Sequence, residues 1–193
     1  FVVVEEDYDH EHHYDGRSVL PLPSVDPHVV AYVGTLSKIL APGLRVGYLA
    51  APREIVERVA RLRTFVDRCG DQVVERAVAE LIEDDVLGRH VRRVRREYQA
   101  RRDALVYELR RQLEGALSFR EPSGGMALWA RVTAPGVSST LWAARALERR
   151  VLVHPGRRFR FDGRDAPFLR LGFSHVTPEE IRVAVERLAA ALP

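Results

Sequence analysis

The chain has 193 residues, a formal net charge of +3, 46% hydrophobic residues and 30% charged residues. This composition is ordinary for a globular protein and excludes an intrinsically disordered chain, while the small net charge does not by itself indicate nucleic-acid binding. Cys69 is the only cysteine, which excludes a disulfide framework and predicts a reducing compartment, the cytoplasm. The sequence shows no apolar run of membrane-spanning length and no signal-peptide pattern, so we expect no membrane association.

The first residues predict a buried strand that ends in acidic side chains. Phe1–Val4 is apolar throughout, lacks an initiator methionine and indicates the later part of a longer protein. Glu5–Asp9 follows at the carboxyl end of that strand, where open α/β sheets bind their ligands. Period-two alternation puts Glu6 and Tyr8 on one side and Asp7 on the other. A carboxylate here could keep a heteroaromatic ring nitrogen protonated, and a phenol could bond a ring hydroxyl; a solvated acidic loop is the alternative.

Histidines after this strand raise the possibility of a metal site. His10, His12 and His13 lie close to several carboxylates, and imidazoles and carboxylates are metal ligands. Their spacing fits neither a helical His-x-x-x-His pair nor another tight ligand pattern. We therefore predict no metal site and interpret His12 and His13 as surface or packing residues.

A lysine lies between two predicted strands in a sequence whose cations are mostly arginine. Val29–Val33 and Val46–Ala50 are apolar runs that predict strands, and Pro42–Gly43 marks a turn between them. We expect Lys38, close after the first strand, to be partly desolvated, which favours the neutral amine, a nucleophile toward aldehydes. Arg45 adds a permanent positive charge. Two hydroxyls near the lysine could donate hydrogen bonds to the same ligand: Thr35 and Ser37.

Three segments, Glu5–Asp9, Tyr14–Gly16 and Tyr32–Tyr48, together resemble a known family. They are similar to the aminotransferase domain of fold-type I pyridoxal-phosphate enzymes, and most similar to that of the MocR-type (GntR family) transcriptional regulators. Those regulators join an N-terminal winged helix-turn-helix to an aminotransferase-like domain. The resemblance continues more weakly to the C-terminus and covers only the C-terminal half of such a domain.

The resemblance implies roles for the lysine and its neighbours. Lys38 would form the Schiff base with pyridoxal 5'-phosphate and act as general acid and base. Arg45 would bind the cofactor phosphate, with Thr35 and Ser37.

The resemblance also implies roles for the acidic run, with one departure. Tyr8 would hydrogen-bond the ring hydroxyl of the cofactor. The family usually has an aspartate facing the pyridine nitrogen where this chain has Glu6, so either Glu6 or the neighbouring Asp7 would take that place.

After Ala50 the sequence pattern becomes helical. Pro52 suits the first turn of a helix that runs to about Arg68, and apolar spacing predicts further helices over about 72–83 and 86–115, with Asp71 as an N-cap. Arginines along the third helix are interleaved with acids, which favours a solvated face over nucleic-acid binding. The last helix is predicted to start with a capping box formed by Thr177, Pro178 and Glu180. We expect its apolar side chains, which include Leu192, to face the protein core.

Short strands are predicted between the last helices, and one of them carries an arginine. The predicted strands cover Leu117–Arg120, Met126–Val132, Val151–Val153 and Phe168–Phe173. Arg170 lies in the middle of the last one, where a guanidinium is costly to bury unpaired and is suited to a carboxylate. A solvent-facing arginine is the alternative; the resemblance implies that Arg170 grips the substrate α-carboxylate.

We therefore predict an α/β fold in two parts. Residues 1–84 would complete a large pyridoxal-phosphate-binding domain, and residues 85–193 would form a bridging helix and a small α/β domain. The expected function is transamination between an amino acid and a 2-oxo acid in a homodimer, as part of a MocR-type regulator. Two alternatives stay open: an amino-acid-sensing and cofactor-binding effector domain that controls DNA binding through an absent N-terminal domain, and an inactive remnant.

Overall fold

The computed structural model of the chain describes residues 1–15 and 20–193. Gly16, the end of the Tyr14–Gly16 motif, lies outside the described residues. The chain forms two compact units, Phe1–Val94 and Arg95–Pro193. The division falls inside a long helix, whereas the sequence placed a boundary between residues 84 and 85; that boundary stays a prediction about the complete protein.

The first unit contains a three-stranded sheet with the order β1-β2-β3. β1 pairs in parallel with β2, and β2 pairs antiparallel with β3. The strands have these bounds: β1 Val3–Asp7, β2 Val30–Thr35 and β3 Gly47–Ala50. The expectation of a buried strand over Phe1–Val4 was wrong, because within residues 1–15 and 20–193 β1 has one neighbouring strand, and Phe1, Val2 and Val4 are exposed.

Two helices of the first unit follow the sheet, and a third begins there and continues into the second unit. They are α1 Arg53–Val66, α2 Gln72–Glu83 and α3 Val86–Gln112. The Asp71 carboxylate accepts hydrogen bonds from the backbone N–H groups of Val73 and Val74, so the predicted N-cap of α2 is confirmed. α1 buries none of its residues, and the described part of the chain leaves its apolar stripe exposed, with Phe65 at 88%.

The second unit is built on a four-stranded antiparallel sheet with the order β4-β5-β7-β6. Its strands and helices have these bounds: β4 Leu117–Phe119, β5 Ala127–Val132, α4 Ser139–Glu148, β6 His154–Pro155, β7 Phe168–Gly172 and α5 Pro178–Ala190. Leu128, Leu169 and Phe173 are almost fully buried, and the Trp142 indole donates to the Leu188 carbonyl oxygen at 2.9 Å. These contacts tie α4 and α5 to a single core.

Two predictions in this unit were wrong and one was confirmed. Val151–Val153 is not a strand; Val151 and Val153 are buried, and the strand pairing begins only at His154. Leu192 lies beyond the end of α5 and is 37% exposed, because the helix ends at Ala190. The capping box is present, with Thr177 accepting from the Glu180 backbone and Glu180 accepting from the Thr177 backbone.

No helix among the described residues has the length and apolar character needed to cross a bilayer. In the same residues, no three His, Cys, Asp or Glu side chains cluster closely enough to hold a metal ion.

Candidate active site

Lys38 lies on a tight turn directly after β2. The turn is closed by a backbone hydrogen bond from Leu40 N to the Leu36 carbonyl at 2.9 Å, and Leu36 N donates to the Val46 carbonyl at 2.9 Å. Leu36 and Ile39 are buried at 7% and 5% exposure, whereas Lys38 between them is exposed. The buried side chains of Leu36 and Ile39 therefore fix the turn, and the Lys38 side chain between them points into solvent.

Lys38 is also the only lysine among the 193 residues. It is thus the one side-chain primary amine that this chain can offer to an aldehyde. The expectation that Lys38 is desolvated within this chain was wrong, because the turn directs the apolar side chains inward and leaves the lysine in solvent.

The two hydroxyls beside the lysine take part in the turn itself. Thr35 Oγ1 accepts a hydrogen bond from Ser37 N at 3.1 Å and donates weakly to the Val46 carbonyl at 3.5 Å. Ser37 is 8% exposed. This local hydrogen bond is typical of Ser and Thr at turns. Thr35 therefore shapes the segment that presents Lys38, in addition to any contact with a ligand.

Arg45 follows a short 3₁₀ turn, Pro42–Leu44, in left-handed backbone with φ 52° and ψ 33°. Non-glycine residues adopt this conformation rarely. The guanidinium is exposed and forms no ion pair with any residue in the described ranges. A permanently charged group without a counter-ion is suited to an anionic ligand such as a phosphate.

The acidic run at the end of β1 is divided between the two faces of the sheet. In the parallel register Glu6 lies beside Val33, and Asp7 beside Gly34. Glu6 and Tyr8 are exposed on one face, and Thr35 belongs to the same face by alternation.

The Asp7 carboxylate is engaged on the opposite face of the sheet. Its Oδ2 accepts a hydrogen bond from the Tyr32 hydroxyl at 3.1 Å and lies 3.2 Å from His10 Nδ1. Of the two carboxylates that the sequence left as alternatives for a ring nitrogen, Glu6 therefore shares a face with Tyr8, and Asp7 serves the packing of the sheet.

Two histidines that the sequence did not assign to the site lie near the lysine turn. His12 is 2% exposed, which confirms its interpretation as a packing residue. Burial lowers the pKa of its imidazole, and the nearby backbone of Lys38 acts in the opposite direction. His90, on α3, has its Nε2 at 3.0 Å from the Ile39 carbonyl oxygen. Neither contact has a signal in the sequence, because each joins residues far apart in the chain.

Arg170 belongs to the second unit and lies in the middle of β7. Trp129 on β5 and His154 on β6 are its cross-strand neighbours. Arg170 is half-buried on the face opposite Leu169 and Leu171, which enter the core, and it has no ion-pair partner among the described residues.

The neighbour His154 is affected by the positive charges around it. Burial lowers the pKa of His154, and the cations of Arg158 and Arg170 lower it further. The Arg158 guanidinium lies 3.2 Å from His154 Nδ1. The surroundings of Arg170 are thus cationic and fit a carboxylate ligand.

The side chains of the first unit fit pyridoxal phosphate, the group that the sequence resemblance implied. The cofactor has an aldehyde, a phosphate, a pyridine nitrogen and a phenolic oxygen. Lys38 offers an exposed amine, Arg45 an unmatched cation, and Glu6 and Tyr8 an acid and a phenol on one face. Each group of the cofactor therefore has a chemically matched side chain in this chain.

Comparison with known proteins agrees with this chemistry. The profile of the family "Aminotransferase class I and II" matches residues 2–188. Aromatic-amino-acid aminotransferase 1 of Thermococcus litoralis is 32% identical over 194 residues, covering all of this chain and 46% of the relative. The probable rhizopine catabolism regulatory protein MocR of Rhizobium meliloti is 30% identical over 190 residues, covering 98% of this chain and 38% of the relative.

Solved structures show the same likeness. The multiple substrate aminotransferase from Thermococcus profundus superposes with a TM-score of 0.90 at 30% identity, covering all of this chain and 48% of that protein. LysN, the α-aminoadipate aminotransferase from Thermus thermophilus, was solved with N-(5'-phosphopyridoxyl)-L-leucine and superposes at 0.86 with 29% identity, covering 98% of this chain and 49% of that protein. The predicted α/β fold is confirmed, and the chain spans about half or less of the length of these relatives.

Proposed function

This chain belongs to the class I and II aminotransferase family, and we propose that it is the C-terminal half of a catalytic domain that transfers an amino group between an amino acid and a 2-oxo acid. The cofactor of this family is pyridoxal phosphate. The observation that carries the proposal is Lys38, the only lysine, held outward on a turn that buried side chains fix on both sides. A covalent cofactor bound to a lysine of this chain can be bound only there.

Lys38 performs two tasks in this proposal. When bound, pyridoxal phosphate supplies an aldehyde that captures amines and a ring that stabilises negative charge on the neighbouring carbon. Lys38 would hold that aldehyde through its amine, a nucleophile. Its Nζ would also hold and move the proton of the substrate α-carbon, as general base and then as general acid.

Five side chains hold the cofactor in this proposal. Arg45 binds the phosphate through its guanidinium, assisted by Ser37 and by Thr35, which also fixes the turn. Tyr8 donates to the ring oxygen. Glu6 accepts from the protonated pyridine nitrogen, with Asp7 supporting β1 from the other face of the sheet.

Arg170 binds the substrate in this proposal. Its half-buried guanidinium, without an acidic partner among the described residues, suits the α-carboxylate of an amino acid. A homodimer, which enzymes of this kind form, is part of the proposal for the complete protein. A cytoplasmic location also stays a prediction that rests on the single cysteine.

A second candidate function is regulation. Relatives named as HTH-type or MocR-type regulators match 96% or more of this chain, as the T. litoralis aminotransferase does. In that case, the same cofactor and amino-acid contacts serve as a sensor that changes DNA affinity through another domain. An inactive remnant is the third possibility, and it predicts no covalent cofactor at Lys38.

The decisive experiment uses the natural full-length protein. It is incubated with pyridoxal phosphate, reduced with borohydride and mapped by peptide mass spectrometry, with Lys38→Arg as the matched control. We expect a pyridoxyl group on Lys38 in the wild type and no label at position 38 in the control. Absence of the label from wild-type Lys38 would overturn the proposal and favour the remnant.

A turnover assay then separates enzyme from sensor. This assay uses the unreduced holoprotein, which is given amino acids together with 2-oxoglutarate. Product formation is measured, and the effect of the same amino acids on DNA binding is measured in parallel. Multiple turnovers support the enzyme. A change in DNA affinity without turnover supports the regulator.

A further inference from the structure

The turn that carries Lys38 is fixed to α2 and α3 by apolar contacts. Leu36 and Ile39 form a buried cluster with Val78 of α2. Further apolar side chains from the turn, α2, α3 and the segment before β3 pack against this cluster: Leu40, Val46, Val74, Leu87 and Val91. These contacts hold the turn against α2 and α3. Apolar contacts are not directional, however, so they do not by themselves fix the orientation of the peptide groups in the turn.

One polar contact supplies that direction. His90 projects from α3, and its Nε2 lies 3.0 Å from the carbonyl oxygen of Ile39, the residue after Lys38. The two residues are 51 positions apart in the chain. A hydrogen bond to this carbonyl fixes the orientation of the peptide that follows Ile39, and hence restricts the direction in which the neighbouring lysine leaves the turn.

A second contact decides which nitrogen of His90 carries the proton. The Arg93 guanidinium lies one helical turn further along α3, 3.3 Å from His90 Nδ1. A guanidinium is always protonated and can only donate, so Nδ1 must accept. In the neutral imidazole the proton is then on Nε2, where it is donated to the Ile39 carbonyl. Arg93 thus holds His90 in the tautomer that the contact with the lysine turn requires.

His12 is a second imidazole near the turn. Its buried ring lies close to the backbone of Lys38. Imidazoles from two separate segments therefore lie near consecutive residues of the turn, Lys38 and Ile39. A reactive amine gains rate from being held in a narrow range of orientations, and a displacement of about 1 Å can cost about a hundredfold.

We propose that His90 is a positioning residue for Lys38, acting through the Ile39 carbonyl and held in its donating tautomer by Arg93. The proposal rests on the proposed function, in which Lys38 captures the cofactor aldehyde. His90 touches neither cofactor nor substrate in this role. It instead increases the rate at which the Lys38 amine reacts, because it keeps that amine in the required orientation.

Two amide substitutions at position 90 test the proposal in the full-length protein. His90→Gln places an N–H donor at the reach of Nε2, whereas His90→Asn carries the same amide one methylene short of it. His28→Gln, at an exposed histidine of the same unit, is the matched control. Because His90 is only half-buried, both amide side chains fit at this position. Thermal unfolding of each variant and of the wild type checks that the fold is retained.

Two rates at Lys38 are measured. One is the rate of borohydride-trapped pyridoxyl labelling, and the other is the rate of trace acetylation of Lys38 in the cofactor-free protein. We expect His90→Asn to slow labelling by about tenfold and His90→Gln to stay within about threefold of the wild type. The acetylation rate of Lys38 should change in His90→Asn and stay unchanged in His28→Gln.

The outcomes separate this proposal from the proposed function. A wild type labelled at Lys38 together with an equally fast His90→Asn overturns the role of His90 alone. A wild type without label overturns the proposed function, and the acetylation rates then decide whether His90 orients the turn. If His90→Asn does not fold, nitrogen NMR of wild-type His90 decides: a neutral ring protonated at Nε2 supports the proposal, and any other state overturns it.

Discussion

The Tyr32 hydroxyl donates a hydrogen bond to Asp7 Oδ2 at 3.1 Å, joining β2 to β1 on the face of the sheet opposite Glu6. Burial raises the pKa of Tyr32 above its ordinary value, and the nearby Tyr48 and Asp7 raise it further. The phenol is therefore a permanent donor at physiological pH. His10 adds a second contact to the same carboxylate oxygen.

This arrangement predicts different losses for the two neighbouring carboxylates. Asp7→Asn weakens two contacts of a mostly buried group, so we expect a loss of about 1–3 kcal/mol in the free energy of unfolding. Glu6→Gln, on the exposed face, should change that free energy by less than about 0.5 kcal/mol but weaken pyridoxal phosphate binding. Urea unfolding and cofactor titration measure the two effects. Equal destabilisation by both changes would contradict the division of roles.

Gly34 leaves room for the ring of Tyr48 on the neighbouring strand, since a Cβ built on Gly34 overlaps the end of that ring. Gly34→Ala should displace the ring from its contact with Tyr32 and cost about 1–3 kcal/mol of stability. In a Tyr48→Ala background the same change should be neutral or stabilising, because alanine suits a strand better than glycine. A double-mutant cycle measured by urea unfolding tests this coupling. Additive losses would mean that the ring does not limit position 34.

His12 predicts a pH dependence of stability. Burial holds its folded pKa below the ordinary value of 6.5, so the unfolded chain binds more protons between those two pKa values. The contribution of His12 to the free energy of unfolding should therefore be fully present above about pH 6.5. It should be lost as the pH falls from there through the lower pKa of the folded state. His12→Phe should reduce the difference between unfolding free energies at about pH 7.5 and about pH 5.5, by at most about 1.4 kcal/mol per pH unit. An unchanged difference would show that His12 does not titrate in this way.

Arg170 should affect substrate and cofactor unequally. Arg170→Lys keeps the charge but loses the planar fork that bonds both carboxylate oxygens. We expect amino-acid binding to weaken by about tenfold to a hundredfold, since a hydrogen bond to a charged group contributes about 1.5–3 kcal/mol, while pyridoxal phosphate affinity stays the same. Arg131→Lys, at an exposed arginine of the adjacent strand β5, is the control. A parallel loss of both affinities would count against a carboxylate role.

Features with local causes could be predicted from the sequence. The bounds of α2, its Asp71 cap and the Thr177 capping box depend on residues close to one another in the chain, and all three are confirmed. The pairing of Glu6 with Tyr8 on one face follows from the two-residue period of a strand. The stretch around Lys38 was recognised from its order of residues alone.

Features that depend on distant partners could not be predicted. The hydrophobic run at Phe1–Val4 predicted a buried strand, but its side chains are exposed. The run at Val151–Val153 predicted a strand, but strand pairing needs a neighbour in register, and a run of apolar residues does not specify one. The exposure of Lys38 follows from where Leu36 and Ile39 find their apolar partners, on α2 and α3. His90 meets the lysine turn across 51 positions of chain, a contact that no local pattern encodes.

Because residues 1–193 contain one lysine, the state of that lysine is recorded in the digestion pattern of this part of the chain. A protease that cleaves only after unmodified lysine would cut residues 1–193 once, between Lys38 and Ile39. A reduced pyridoxyl group on the side chain removes that cleavage site. The ratio of intact to cut chain after denaturation would then give the occupancy of the cofactor on an ordinary gel, without a spectrometer and without any assay of turnover.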